Sequence, residues 1–269
     1  MVRETASAGE GSRAAREAAE SGAGLVVACG GDGTVRSVAV GLLELPPDRR
    51  PALALAPAGR GNDLARALGA PPAGPGLVAA LAAGGDRFLD AGEALVDGRR
   101  EVFVNALGIG LDGAIARRAA ALPLPGLPAY GLAAAIAVLA GEAPWEVEGT
   151  VDDEPFAGPH TLVSVGNSPS TGGGFRLVPD ADPGDGLLDA CLARGAGRLV
   201  VLGFLPRVLR GTHGTDPRVR LLRFRRLVLR APAGIPVHGD GEVLAVAARE
   251  VAVTVLPGAL RYRVPAGIA

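Results

Sequence analysis

The run Leu25-Val26-Val27-Ala28-Cys29-Gly30-Gly31-Asp32-Gly33-Thr34 passes from five apolar residues into glycines around a single acid, and a helical pattern over 35–45 follows at once. A short apolar strand that ends in glycines and opens a helix is one half of a parallel βαβ unit. Glycines let backbone N–H groups approach a phosphate with no Cβ in the way, and the positive end of the following helix faces the same point. Asp32 is out of place beside a phosphate unless a cation or a polarised hydroxyl lies between them, so it belongs to a metal and water network. A plain Gly/Asp turn is the competing account of the same five residues.

Upstream, 12–21 has helical spacing. Downstream, 52–55 is a second strand, and it runs into Pro57-Ala58-Gly59-Arg60-Gly61-Asn62-Asp63-Leu64-Ala65-Arg66. The geometry repeats: glycines at a strand end, then Asn62 or Asp63 as N-cap of a helix over 62–68. Two glycine loops at adjacent strand ends suggest one phosphate or adenosine cleft at the carboxyl edge of a parallel sheet. After about Phe88 the texture changes. Short strand candidates recur at 101–105, 146–151, 160–165, 187–191, 221–229, 243–247 and 251–255, which predicts an antiparallel sandwich. Helical segments interrupt it at 130–139 and 199–209.

Composition narrows the chemistry. The 269 residues are 48% hydrophobic but 3% aromatic, so the core is aliphatic, and the net charge of -1 argues against binding nucleic acid through bulk basicity. Lys and Gln are absent and all 27 basic residues are Arg, which excludes a phosphate loop that depends on lysine. Cys29 and Cys191 are too far apart in sequence to read as a metal pair, Cys29 reads as a small core residue, and a reducing cytoplasm fits. No leader-like stretch opens the chain, and no segment reaches the roughly 18 apolar residues of a spanning helix. The apolar segments at 131–140 and 199–209 read as core rather than as membrane-docking surface. His160, His213 and His238 have no metal spacing and read as packing or surface residues. Only three Asn occur, Asn62, Asn105 and Asn167, each beside glycines or a strand end, where a donor–acceptor pair is needed.

G-G-D-G-T followed by P-x-G-x-x-N-D-x-A-R resembles the bacterial diacylglycerol kinase and lipid kinase family, relatives of the sphingosine and ceramide kinases. The later elements agree in order: Phe103-Val104-Asn105 with Gly108-Ile109-Gly110, Val165-Gly166-Asn167, Gly172-Gly173-Gly174-Phe175, Pro179-Asp180-Ala181, Asp185-Gly186-Leu187-Leu188-Asp189 and Asp240-Gly241-Glu242. The resemblance runs from near Thr5 to about Pro265. It implies an N-terminal α/β nucleotide domain of NAD kinase-like type over 1–93. A C-terminal β-sandwich lipid domain over 94–269 follows, with its last segment returning to the first domain. In the family a strand with an N-P-x-S-G-type loop lies upstream of the Thr5 region, so the expected nucleotide domain lacks that first strand.

The resemblance further implies an ATP-dependent, Mg²⁺-dependent lipid kinase, most simply diacylglycerol to phosphatidate. Sphingoid-base or NAD kinase-like activity, or silent lipid binding, are the alternatives. Thr5, Gly30, Gly31, Asp32, Gly33, Thr34, Gly59, Arg60, Gly61, Asn62 and Asp63 would hold ATP, with Arg60 standing where the family has Thr. Asp185, with backbone oxygens of Asp182 and Leu187, would hold a structural Mg²⁺. Asp240 and Glu242 would supply the general base, alongside Asp32, and which of the two takes the proton is open. The taken-together expectation is a cytoplasmic enzyme meeting a lipid substrate at the inner membrane face, with no nucleic-acid partner, no spanning segment, and room for a homodimer.

Overall fold

The computed structural model describes residues 2–59, 61–124, 126–141 and 144–267. Helix α1 (Ala8–Glu20) starts at Ser7, whose Oγ accepts the Glu10 N–H at 3.4 Å while the Glu10 carboxylate accepts the Ala6 N–H at 2.7 Å. Strand β1 (Leu25–Gly30) leads into α2 (Asp32–Leu43), and β2 (Ala52–Pro57) leads into α3 (Asp63–Ala67) and α4 (Leu77–Ala83). Helices α1 and α2 pack closely because Gly41 presses on the Ser12 backbone, where a Cβ would stand 2.2 Å from the carbonyl oxygen. Strands β1 and β2 are parallel, from Leu25 against Ala52 to Gly30 against Pro57, so both loops leave the same sheet edge.

The remainder is strand-rich. Strands β3 (Gly85–Val96) and β4 (Arg99–Phe103) form a hairpin whose turn, Asp97-Gly98, has both φ angles positive. Then come β5 (Ala106–Gly110), α5 (Leu111–Ala120), α6 (Gly126–Ala140), β6 (Trp145–Val151), β7 (Glu154–Gly166), β8 (Leu188–Arg194), α7 (Arg198–Arg210), β9 (Val219–Phe224), β10 (Arg226–Gly239) and β11 (Glu242–Val264). The strand order is β1-β2-β11-β10-β5-β7-β8-β9, with β3 on β11 and β6 joining β10 to β7. Strand β11 runs antiparallel to β10 and β3, and near its end Tyr262 lies parallel beside Leu53 of β2. Phe103, Leu107, Ile109, Phe224, Leu227 and Leu229 fill the sandwich interior, and Leu42, Leu53, Leu55, Leu89 and Tyr262 fill the α/β core.

The α/β half followed by an antiparallel sandwich is the architecture expected from the sequence. Details differ. The candidate strand 221–229 is broken at Arg225 into β9 and β10, and 243–247 and 251–255 are one 23-residue strand. The charged pair Arg249-Glu250 separates the two candidates in sequence, but register shifts in β10 absorb the gap and the ladder continues. Cys29 is exposed rather than core: Ala28 points to the α2 side, and the period of two turns Val27 and Cys29 to the other face. All three histidines are buried. The apolar segments of α6 and α7 are not wholly core, since Leu132, Ile136, Leu139 and Leu199 face outward.

Candidate active site

The two glycine loops touch. A Cβ on Gly59 would stand 2.2 Å from the Gly31 Cα, so only glycine permits this approach. Gly30 is likewise covered by the Thr34 side chain. Helix α2 opens at Gly31 without a side-chain cap, and its first intrahelical bond is Val35 N–H to Gly31 O. The N–H groups of its first turn therefore remain available to an anion. Gly33 is exposed beside them, with open space where a Cβ would point.

Neither Asn62 nor Asp63, the two N-cap candidates of the sequence, caps α3 with its side chain. At φ +52° Asn62 turns back, its Oδ1 accepting the Gly59 N–H at 3.1 Å and its Nδ2 donating to Gly59 O at 2.8 Å. The cap comes from the other loop: Asp32 Oδ1 accepts the Asp63 N–H at 2.8 Å. Gly61 leaves room for this, since its Cβ would fall 2.5 Å from Asp32 Oδ2. Burial, then the carboxylates of Asp63 and Asp240, push the Asp32 pKa above the usual range, against the backbone N–H groups that favour its charged form.

Asp63 reaches into the second half of the chain. It is 2% exposed, and its Oδ1 accepts from Arg66 Nη1 at 2.8 Å and Ser170 Oγ at 3.0 Å, while Oδ2 accepts the Gly173 N–H at 2.7 Å. A cleft of ≈ 390 Å³ lined by Arg66, Ser170, Gly173 and Arg176 opens beside this clasp. Asn105 and Asn167 lock the adjoining loops. Asn167 Nδ2 donates to Asp90 O and Val104 O, both at 2.9 Å, and Asn105 Nδ2 donates to Ser170 O at 3.1 Å.

The Asp240-Gly241 turn joins β10 to β11 as a hairpin, with φ of +49° and +88°. Asp240 Oδ2 accepts the Val104 N–H at 2.8 Å, and Oδ1 accepts those of Asn105 and Ala106 at 2.9 Å each. Burial raises the Asp240 pKa, opposed by these three donors and by Arg36. Its carboxylate is thus committed to the chain, whereas Glu242, two residues on, is exposed. Behind the turn, Asp112 accepts from Ser164 Oγ at 3.1 Å and lies 3.4 Å from His238 Nε2, all three buried.

The structure brings Asp32, Gly31, Gly59, Gly61, Asn62 and Asp63 together, while Asp240 is held by the segment after β4. Thr5 lies exposed ahead of α1, and Arg60 lies outside the described residues. The residues expected at a structural cation stand elsewhere. Asp185 is ion-paired with Arg223 and accepts the Leu187 N–H at 3.0 Å, and Asp182 accepts the Gly184 N–H at 3.1 Å. Among the described residues no three carboxylate, His or Cys side chains are grouped to hold a metal, so a cation at this turn would depend on backbone oxygens and on Arg223 leaving Asp185. At the glycine loops Asp32 is the carboxylate that would meet a hard cation, since those of Asp63 and Asp240 are already occupied by N–H and O–H donors.

Two residues escaped the sequence reading. Asp90, 3% exposed in β3, accepts the N–H groups of Gly186 and Gly258 at 2.7 Å each. An acid set between the apolar residues Leu89 and Ala91 was the available signal. Tyr130 of α6 lies with its ring on Gly172 and its hydroxyl towards Gly241. Burial, then Asp112, Asp63 and Asp32, push its pKa up, so the hydroxyl stays a donor. It is one of only two Tyr in the chain, on a helix otherwise free of polar side chains.

Comparison with known proteins agrees across the chain. Residues 1–94 match the diacylglycerol kinase catalytic domain model, and 105–264 match the YegS C-terminal NAD kinase beta sandwich-like domain. The chain is 32% identical over 248 residues to a diacylglycerol kinase of Bacillus subtilis, spanning 88% of this chain and 77% of that protein. It is 33% identical over 271 residues to a "Probable lipid kinase YegS-like" of Pseudomonas aeruginosa, spanning 99% and 85%. A crystal structure of a diacylglycerol kinase from Bacillus anthracis superposes with a TM-score of 0.71 at 22% identity, covering 98% of this chain and 85% of that one, a likeness of fold.

Proposed function

The chain belongs to the diacylglycerol kinase family of lipid kinases, and from that premise we propose that it transfers the γ-phosphate of ATP to a lipid hydroxyl, converting diacylglycerol to phosphatidate. The observation that carries the reading is the Asp32–Asp63 clasp. It presses two glycine loops together under an open helix start and fastens them to the 170–173 loop and so to the sandwich. On this reading 1–93 is the nucleotide half and 94–269 the lipid half.

Phosphoryl transfer asks little covalent work of a protein; positioning and charge neutralisation dominate. The first-turn N–H groups of α2, with Gly30, Gly31, Gly33 and Thr34, would hold the phosphates, and Thr5 and 59–63 would complete the nucleotide site. Bound Mg²⁺ would neutralise the phosphate oxygens, held at the Asp32 carboxylate, whose crowding a cation relieves. Glu242 would take the proton from the acceptor hydroxyl, because Asp240 is already occupied by three N–H donors. Tyr130 would offer a hydrogen bond at the same turn. The 182–187 turn is a second cation site on this proposal, opened when Arg223 releases Asp185.

The test is phosphorylation by the purified chain with labelled ATP and Mg²⁺ across diacylglycerol, ceramide, sphingosine and NAD. Labelled phosphatidate is the expected product. Label on ceramide, sphingosine or NAD alone would move the acceptor, and no label on any of them would leave a lipid-binding protein.

A further inference from the structure

Helix α6 turns Ala133, Ala134, Ala137 and Val138 inward and leaves Leu132, Ile136 and Leu139 exposed by 43, 40 and 60%. Spacings of four and three align those three on one face. Helix α7 packs on α6 through Val201 and Leu202 and leaves Leu199 84% exposed, with Val200 and Leu209 also open. The Arg198 guanidinium lies against Gly141, just past the end of α6, so Leu139 and Leu199 flank one corner. Fifteen large apolar side chains are exposed among the described residues, and six of them sit on these two helices. Such clustering marks an interaction surface.

Charge says what kind. Helices α5, α6 and α7 carry Arg117, Arg118, Arg198, Arg207 and Arg210 against one carboxylate, Asp112, which is buried, in a chain whose net charge is -1. Arg207 is paired with Asp216, but Arg198 and Arg210 are exposed. An apolar stripe rimmed by arginine, with no exposed acid on these three helices among the described residues, suits an anionic bilayer surface. A second copy of the chain would bring like charges together. No helix among the described residues is long and apolar enough to cross a membrane, so the contact would be interfacial.

We propose that the α6–α7 face docks on anionic lipid bilayers, with Leu132, Ile136, Leu139 and Leu199 entering the acyl boundary and Arg198 and Arg210 meeting headgroup phosphates. The choice of a bilayer as occupant rests on the lipid-kinase reading. Tyr130 of the same helix reaches the turn at Gly241, so docking would hold the cleft at the surface from which a lipid hydroxyl arrives.

The experiment is co-sedimentation of the full chain with vesicles of phosphatidylcholine alone and of phosphatidylcholine mixed equally with phosphatidylglycerol. Binding to the mixed vesicles, weakened by salt, is expected, with a loss of about ten-fold or more in the Leu139→Glu/Leu199→Glu variant. Both side chains are exposed, so unfolding is not expected, and circular dichroism checks it. A second variant, Arg198→Glu/Arg210→Glu, should lose binding to the mixed vesicles without touching an apolar residue. Absent binding by the parent chain, or unchanged binding in both folded variants, overturns the proposal. A concentration-dependent dimer without lipid that Leu199→Glu dissolves also overturns it, in favour of self-association. Binding needs no turnover: vesicle binding lost in the variants, from a chain that phosphorylates no lipid, would sustain the docking face and sink the kinase reading instead.

Discussion

The turn at Asp240 and the turn over 182–187 are both short acidic loops leading into strands, yet they are held in opposite directions. Asp240 reaches outward and takes three N–H groups from the segment after β4. In the other turn the acids fold inward: Asp182 takes the Gly184 N–H, and Asp185 takes that of Leu187 and pairs with Arg223. Its anchor comes from outside, as Asp90 takes the Gly186 N–H. In the first turn the motif's own acid is the anchor, which leaves Glu242 exposed and, on the proposed reading, the base. In the second the anchor lies in a different strand, and the motif's acids are already partnered.

Asp240→Ala should break the first turn most severely. Three N–H donors lose their acceptor, a cost of about 2–4 kcal/mol, and turnover should vanish because Glu242 is no longer held. Urea unfolding alongside the lipid kinase assay reads both. Wild-type stability with lost turnover would make Asp240 a chemical group and dissolve the contrast between the turns.

Glu242→Gln should do the reverse. Turnover is expected to fall about 10²–10⁴-fold, the usual worth of a positioned base, with the urea midpoint and the KM for ATP unchanged. Only a few-fold loss would return the base to Asp240 or Asp32.

How much of this could be read in advance follows from where each signal sits. The βαβ loops were legible because strand, glycines and helix are consecutive, and the strands of the sandwich carry a local period. The meeting of the two glycine loops was legible because each loop repeats the other's pattern. The partner of each acid was not. Asp32 caps a helix 31 residues away, and Asp63 binds the 170–173 loop across more than a hundred residues. Asn62 or Asp63 was expected to cap α3, but a left-handed backbone aimed Asn62 at Gly59 and the side chain of Asp63 went to the 170–173 loop. The leucines of α6 and α7 looked like core because hydropathy does not say which face of a helix is covered.

Asp90→Ala probes the second turn's external anchor. Two N–H groups, of Gly186 and Gly258, lose their acceptor, and a loss of about 1–3 kcal/mol is expected in the unfolding midpoint. Turnover at saturating substrate should drop far less than in Glu242→Gln. A variant as inactive as Glu242→Gln would mean that both turns serve the chemistry.

Arg223→Ala has the smallest expected effect on the bare protein. Arg223 is half-exposed, and surface pairs of this kind contribute about 0–1 kcal/mol. Its value lies in what it uncovers. On the proposed reading, removing the guanidinium frees an Asp185 oxygen to join backbone oxygens of Asp182 and Leu187 in the donor set of a hard cation. A cation that binds only the folded chain raises its melting temperature with concentration. Mg²⁺ should therefore stabilise Arg223→Ala at lower concentration than the parent, because in the parent it must first displace an arginine. Asp185→Asn, added to the same variant, should abolish the difference. If Mg²⁺ shifts parent and variant alike, the turn is a self-contained loop and its acids are there to fold it.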